Sequence, residues 1–231
     1  MFFKSLILSV VIVMMVGCGM QPQKPIEMSV SNLFDQSSTV AVVFDPMPQP
    51  SLEVPGAGCL LCVAVARGAN SQLTRQVETF SIQDLVALKA DIADKLTEQG
   101  KSVRVINEEF KLDELPKAKV AKGEDDKARL DHSSIASEYN VDQLLVVDIN
   151  SIGVIRNYSS YIPVEDPKAS IMGRAYLVDL KTNTYLWYLP ISSFRFASGE
   201  WKEPPEYPGI TNAYYQLVEE LRDNILSVIE K

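Results

Sequence analysis

The sequence predicts an α/β protein: a single mixed β-sheet of about five strands with helices packed on it. Three observations carry that expectation. Short β-branched runs alternate with helix-period stretches along the first two thirds of the chain, the pattern of strands joined by crossover helices. Two strand-like runs near the C-terminus are separated by three turn residues, which makes them antiparallel neighbours. A last helical stretch has an apolar face broad enough to cover a sheet. Composition agrees, since 46% of the 231 residues are hydrophobic and 23% are charged, ordinary for a globular chain and too apolar for disorder throughout.

Residues 39–44, Thr-Val-Ala-Val-Val-Phe, form the first buried strand, and Pro46, Pro48 and Pro50 end it. The following loop runs to Pro55 and Gly56. Residues 56–66 are wholly apolar, carry no charge and stop at Arg67-Gly68. They are too few to span a bilayer as a helix. A buried helix, a buried strand, and a loop touching a partner or a membrane all fit them. Ser81 to Asp84 resembles a capping box, and Leu85, Leu88, Ile92 and Leu96 follow at helical spacing, with Gly100 just past the end. Residues 101–107 alternate as a strand, with Val103 and Val105 on one face. Strand, helix and strand make a right-handed parallel βαβ unit.

Residues 108–129 are densely charged and read as a solvated loop or frayed helix. Residues 131–139 form a short helix ended by Asn140, and residues 142–149 a strong buried strand. Residues 158–168 are a long turn. Residues 169–180 and 184–196 form a hairpin closed by Lys181, Thr182 and Asn183. Residues 199–209 contain three prolines and are loop. Thr211 caps the final helix, whose apolar face is Tyr214, Leu217, Val218, Leu221, Ile225 and Val228. No repeat is visible, which excludes solenoids and propellers.

At the N-terminus Lys4 precedes an apolar run from Leu6 to Val16. That run is short for a transmembrane helix and has the length of a secretory signal core. It ends in Met15-Val16-Gly17-Cys18, which resembles the lipobox of bacterial lipoproteins, with Met where Leu is usual. The resemblance implies that residues 1–17 are a cleaved signal peptide. It further implies that Cys18 becomes the first mature residue, with diacylglycerol on its thiol and a fatty acid such as palmitate on its amine. Several acyl chains together hold a protein on a membrane. Gly19 stands where an inner-membrane retention Asp would stand, which implies the periplasmic side of the outer membrane. Residues 18–38 are then a lipidated tether and residues 39–231 a periplasmic α/β domain.

The formal charge of −8 argues against nucleic acid as a partner, because phosphates must be met by Lys and Arg. With Cys18 lipidated, Cys59 and Cys62 remain as one close pair. Three readings of that pair stand open: a disulfide or buried thiols, contact with lipid or a partner through Leu60 and Leu61, or redox or metal chemistry. His132 is the only histidine, and its neighbours Asp131 and Ser133 read as helix caps rather than triad partners. Gly56 and Gly58 lack phosphate-loop spacing. No catalytic residue, metal or cofactor is expected. Tyr158, Tyr161, Trp201 and Tyr207 fall in expected loops, where amphipathic rings suit partner contact.

Residues 140–148, Asn-Val-Asp-Gln-Leu-Leu-Val-Val-Asp, then Ala175-Tyr-Leu-Val-Asp-Leu180, then Tyr185-Leu-Trp187, resemble a pattern in small bacterial envelope lipoproteins. Such proteins are similar to the periplasmic domain of the curli-secretion lipoprotein and to the N-terminal domain of TolB. The resemblance covers residues 40–231 in order of elements. It implies a non-enzymatic envelope protein that works as an accessory or assembly subunit, binding envelope partners or itself. The chain lacks the pair of long alternating hairpins that a membrane barrel uses, so a pore is not implied. The alternatives are an oligomeric export component, or a thiol protein using Cys59 and Cys62.

Overall fold

The structure, a computed structural model, describes residues 22–29, 38–108 and 110–230. The expected signal peptide, Cys18 and part of the expected tether lie outside them.

The strands are β1 (Thr39–Phe44), β2 (Ser51–Glu53), β3 (Ser102–Val105), β4 (Gln143–Ile155), β5 (Tyr158–Ser159), β6 (Ile162–Pro163), β7 (Lys168–Asp179) and β8 (Thr184–Phe196). The helices are α1 (Leu60–Ala69), α2 (Ser71–Val77), α3 (Gln83–Glu98), α4 (Ser133–Tyr139) and α5 (Pro208–Ile229). One mixed sheet has the order β3-β1-β4-β7-β8, with β2 paired to β4 as a sixth strand. β1 is parallel to β3 and to β4, whereas β7 is antiparallel to both its neighbours, β4 and β8. The predicted βαβ unit is β1-α3-β3, and the predicted hairpin is β7-β8.

Alternation in β1 explains why it is central. Val40 and Val42 enter one apolar cluster, Ala41 and Val43 the other, and all four are buried. On the first face α2, α3 and α5 cover the sheet, through Leu73, Leu88, Ile92, Tyr214 and Leu221 among others. On the second face α4 and the charged segment supply Ile135, Leu112 and Ala128 over Tyr176, Tyr185 and Tyr188. That cover extends over only half of the sheet. β4, β7 and β8 continue past it, where Ser170 is still buried but Met172, Phe194 and Phe196 are exposed at 37%, 44% and 52%. Lys168 Nζ lies 5.2 Å from the ring centroids of both Phe194 and Phe196.

Five local features differ from the sequence expectations. The stretch after Pro50 is not all loop, because β2 pairs in parallel with the far half of β4. Residues 71–77, given no assignment from sequence, are helical. The turn at 158–168 contains the small β5-β6 hairpin. The expected capping box is only half formed: Ser81 Oγ accepts the Gln83 N–H, but the Ser81 N–H donates to Tyr215 Oη across the helix pair. The last helix begins at Pro208, three residues before Thr211, because proline suits the first helical position.

Within the expected tether, Ile26 pairs with Tyr188 through reciprocal backbone hydrogen bonds of 2.9 and 3.0 Å. Gln23 Nε2 donates to the Asp125 carbonyl at 2.7 Å, and Met28 packs on the first-face core. The N-terminal segment is thereby stitched to the edge of β8. Among the described residues, no helix is long and apolar enough to cross a membrane.

Candidate functional site

His132 sits immediately before α4 and is fully buried. Its Nδ1 lies 3.1 Å from Asn183 Oδ1, and its Nε2 lies 3.0 Å from Tyr176 Oη. Asn183 Nδ2 donates in turn to the Leu130 carbonyl at 2.9 Å. A neutral imidazole satisfies this arrangement, donating from Nδ1 and accepting the tyrosine proton at Nε2. Burial holds the His132 pKa below its ordinary value, the Asn183 contact notwithstanding. The ring therefore ties the start of α4 to the β7-β8 turn.

A histidine whose folded pKa lies below its unfolded value resists protonation only when folded, so its stabilising effect is complete above pH ~6.5 and declines below that. In urea titrations, wild-type stability relative to His132→Asn should be constant above pH 7 and should fall as pH drops from about 6.5 toward 5. A parallel pair of profiles would exclude a buried neutral histidine.

The motifs that resemble envelope lipoproteins are core elements. Asp148, on β4, is 2% exposed and accepts from Arg174 Nε at 2.8 Å. Asn150 Nδ2 donates to its other oxygen at 3.1 Å. Nearby, burial raises the pKa of Asp45, opposed by the Leu112 N–H and reinforced by the Asp148 charge. The described residues contain no group of three or more His, Cys, Asp or Glu placed to hold a metal ion.

Residues 56–66 resolve into a glycine-bearing turn and α1. Cys59 is the N-cap, in extended backbone, and its Sγ accepts the Cys62 N–H at 3.0 Å. Cys59 and Cys62 are joined as a disulfide. Cys62 and Ala66 turn inward to meet Ala57 and Tyr158 in a small satellite core. The other side of the helix carries Leu60, Leu61 and Val65 into solvent, at 94%, 74% and 46% exposure. This departs from the usual amphipathic arrangement, in which the outward side is polar, because both sides of α1 are apolar.

The tip is fastened to the sheet by polar groups. The Tyr158 N–H donates to the Pro55 carbonyl at 2.8 Å, and the Ser160 N–H to that of Gly56 at 3.1 Å. Gly56 has φ +83°, and a Cβ there would lie 1.9 Å from the Tyr158 carbonyl oxygen, so glycine is required. Asn70 Nδ2 donates to Tyr158 Oη at 2.6 Å, and Arg156 Nη1 donates to Asn70 Oδ1 at 2.7 Å. The turn before α1 thus lies against the β5-β6 hairpin. That hairpin and the residues after it expose Tyr161, Ile162 and Val164 at 62%, 56% and 59%.

Of the residues expected to contact a partner, Leu60, Leu61 and Tyr161 are exposed at this tip. Tyr158, Trp201 and Tyr207 are not available, with exposures of 6%, 9% and 7%. Each ring has an internal partner. Trp201 Nε1 donates to Asp166 Oδ1 at 2.8 Å, the Arg156 guanidinium lies 4.9 Å from the Trp201 ring, and Tyr207 stacks on Trp201 at 6.4 Å. The half-buried Arg156 guanidinium lies against these rings, so a proline-rich loop is part of the core. Sequence reasoning missed Val65, Ile162, Val164, Phe194 and Phe196. Phe194 and Phe196 were detectable, because they fall out of phase with buried Ile191 in a period-two strand.

No protein family model matches the chain, and no curated protein matches it. Among solved structures it is similar to a protein from Xanthomonas campestris, at 13% identity over 84% of each chain with a TM-score of 0.40. It is similar to a lipoprotein from Neisseria meningitidis, at 16% identity over 82% of this chain and 99% of that one, with a TM-score of 0.34. A PelC dodecamer from Paraburkholderia phytofirmans matches at 9% identity over 90% and 95%, with a TM-score of 0.32.

Proposed function

We propose that this is a lipid-anchored envelope protein that works without catalysis, as an accessory or assembly subunit on the periplasmic side of the outer membrane. Cys18 carries the lipid, and the apolar tip docks an envelope partner. The observation that carries the docking role is the tip, where Leu60, Leu61, Tyr161, Ile162 and Val164 face solvent on a scaffold held by buried polar bonds. A fold gains nothing from displaying such a cluster to water, and clustered exposed apolar side chains mark interaction surfaces.

The test is co-purification of the lipidated protein from its native membrane, wild type against Leu60→Glu/Leu61→Glu. The double variant should retain its melting temperature, since both side chains are already in water, and should lose its partners. Retained partners with intact folding would reject the tip as the docking site. Cys18→Ser should release the protein from the membrane fraction; continued membrane attachment would reject the anchor.

A second reading, self-association into an export assembly, is favoured by the exposed residues of the sheet face. Met172, Phe194 and Phe196, with Lys168 over the two rings, form a patch on β7 and β8, while the tip's leucines belong to α1. Two different sticky surfaces on one chain are what head-to-tail assembly needs. Sizing the detergent-extracted protein tests this, and a strict monomer counts against it.

A further inference from the structure

We propose that the Cys59–Cys62 disulfide is a thiol-exchange site, at which Cys59 forms a mixed disulfide with a cysteine of a docked envelope protein. The inference rests on the docking role of the tip and adds a covalent step to it. Four observations converge. The disulfide joins the N-cap to the third residue of a single helix. It fastens no two elements together, and so short a loop restricts the unfolded chain little. The two sulfurs differ in access, since Cys59 lies at the exposed start of α1 while Cys62 is 8% exposed, inside the satellite core. The first turn of the helix holds no acidic residue, and its Cys62 N–H already points at Cys59 Sγ. Helix N-terminal amides favour negative charge, and thiolates there are correspondingly reactive. Finally, Leu60 and Leu61 stand directly between the two cysteines, so an apolar partner seated on them brings its own thiol to Cys59.

The step is an exchange that needs no external oxidant. A partner thiolate attacks Cys59 Sγ from the solvent side. The Cys59–Cys62 bond breaks, the partner–Cys59 bond forms, and the electron pair leaves on Cys62 Sγ. Cys62 then takes up a proton equivalent to the one the partner thiol lost. Cys62 stays within the satellite core, positioned to attack the mixed disulfide and release the partner by the reverse path.

Reduced glutathione is the probe, applied to the oxidised, lipidated protein in detergent, with adducts located by peptide mass spectrometry. Glutathione should appear on Cys59 and not on Cys62 while the protein is folded. After full reduction, iodoacetamide at pH 7 should modify Cys59 about tenfold faster than Cys62, and unfolding in urea should equalise the two rates. Cys62→Ser should accumulate a stable glutathione adduct on Cys59 when given oxidised glutathione. A disulfide attacked only after unfolding, equal alkylation rates in the folded state, or no adduct in Cys62→Ser would each overturn the proposal. Glutathione reports the chemistry without any partner. Failed exchange, with partners still lost in Leu60→Glu/Leu61→Glu, therefore removes this inference alone, whereas normal exchange with partners retained by that folded double variant removes the docking reading.

Discussion

Replacing Gly153 by alanine should destabilise the protein by about 3 kcal/mol, because the new methyl has no space. Gly153 has φ +134°, and a Cβ there would lie 2.2 Å from the Ser51 carbonyl oxygen and 2.6 Å from the Ser51 nitrogen. Both are backbone atoms of the paired strand β2, so neither can rotate away. For a chain of this size, that corresponds to a melting temperature lower by roughly 6–12 °C. The damage should also be directional. β2 leads through Val54 and Gly56 into α1, so in hydrogen exchange the amides of residues 51–69 should lose protection before those of α5. Gly58→Ala is the matched control: no atom lies within 4 Å of its Cβ position, and the change should stay within about 0.5 kcal/mol. Equal melting temperatures for the two variants would mean that β2 does not pack on β4 as described.

Trp201→Ala should cost about 3–4 kcal/mol, as truncating a buried tryptophan generally does. The ring lies between the Arg156 guanidinium and Tyr207, and its N–H is held by Asp166. Its loss would leave Arg156, whose Nε already has no hydrogen-bond partner, over an empty space. Because Arg156 also holds Asn70, and Asn70 holds Tyr158, the tip should loosen as well. Tyr161→Ala provides the contrast, changing stability by less than about 0.5 kcal/mol at an exposed position. If Trp201→Ala were as stable as wild type, the aromatic ring would belong to the surface, as its loop sequence suggested.

Much of the fold was legible because period and burial agreed. Leu85, Leu88, Ile92 and Leu96 all reach the first-face core, as their spacing requires. Val146 and Val147 are buried on opposite faces, which is why β4 reads as a continuous apolar run. The parts that escaped depend on long-range partners. Three residues of β2 carry no strand signal of their own and exist by pairing with β4. Trp201 and Tyr207 sit among prolines and charges, and their burial depends on the distant Arg156 and Asp166 and on packing with the first-face core. The apolar stretch at 56–66 was ambiguous for a physical reason. Periodicity says which residues share a helical face, but not whether the apolar face points inward. Here Cys62 and Ala66 took the inward side, and the leucines were left outside.

With the proposed lipid on Cys18, the stitching of Ile26 to Tyr188 would also govern how far the domain can travel. Pro22, the first described residue, is four residues beyond Cys18. Each residue step spans at most about 3.3–3.6 Å, so a lipid on Cys18 would hold Pro22 within about 14 Å of its attachment point. A free tether of twenty residues would let the domain sample a deep layer of periplasm. On the short leash that a lipid on Cys18 would give, it would sample a thin one, and its encounters with partners in the same membrane would become a search over an area instead of a volume.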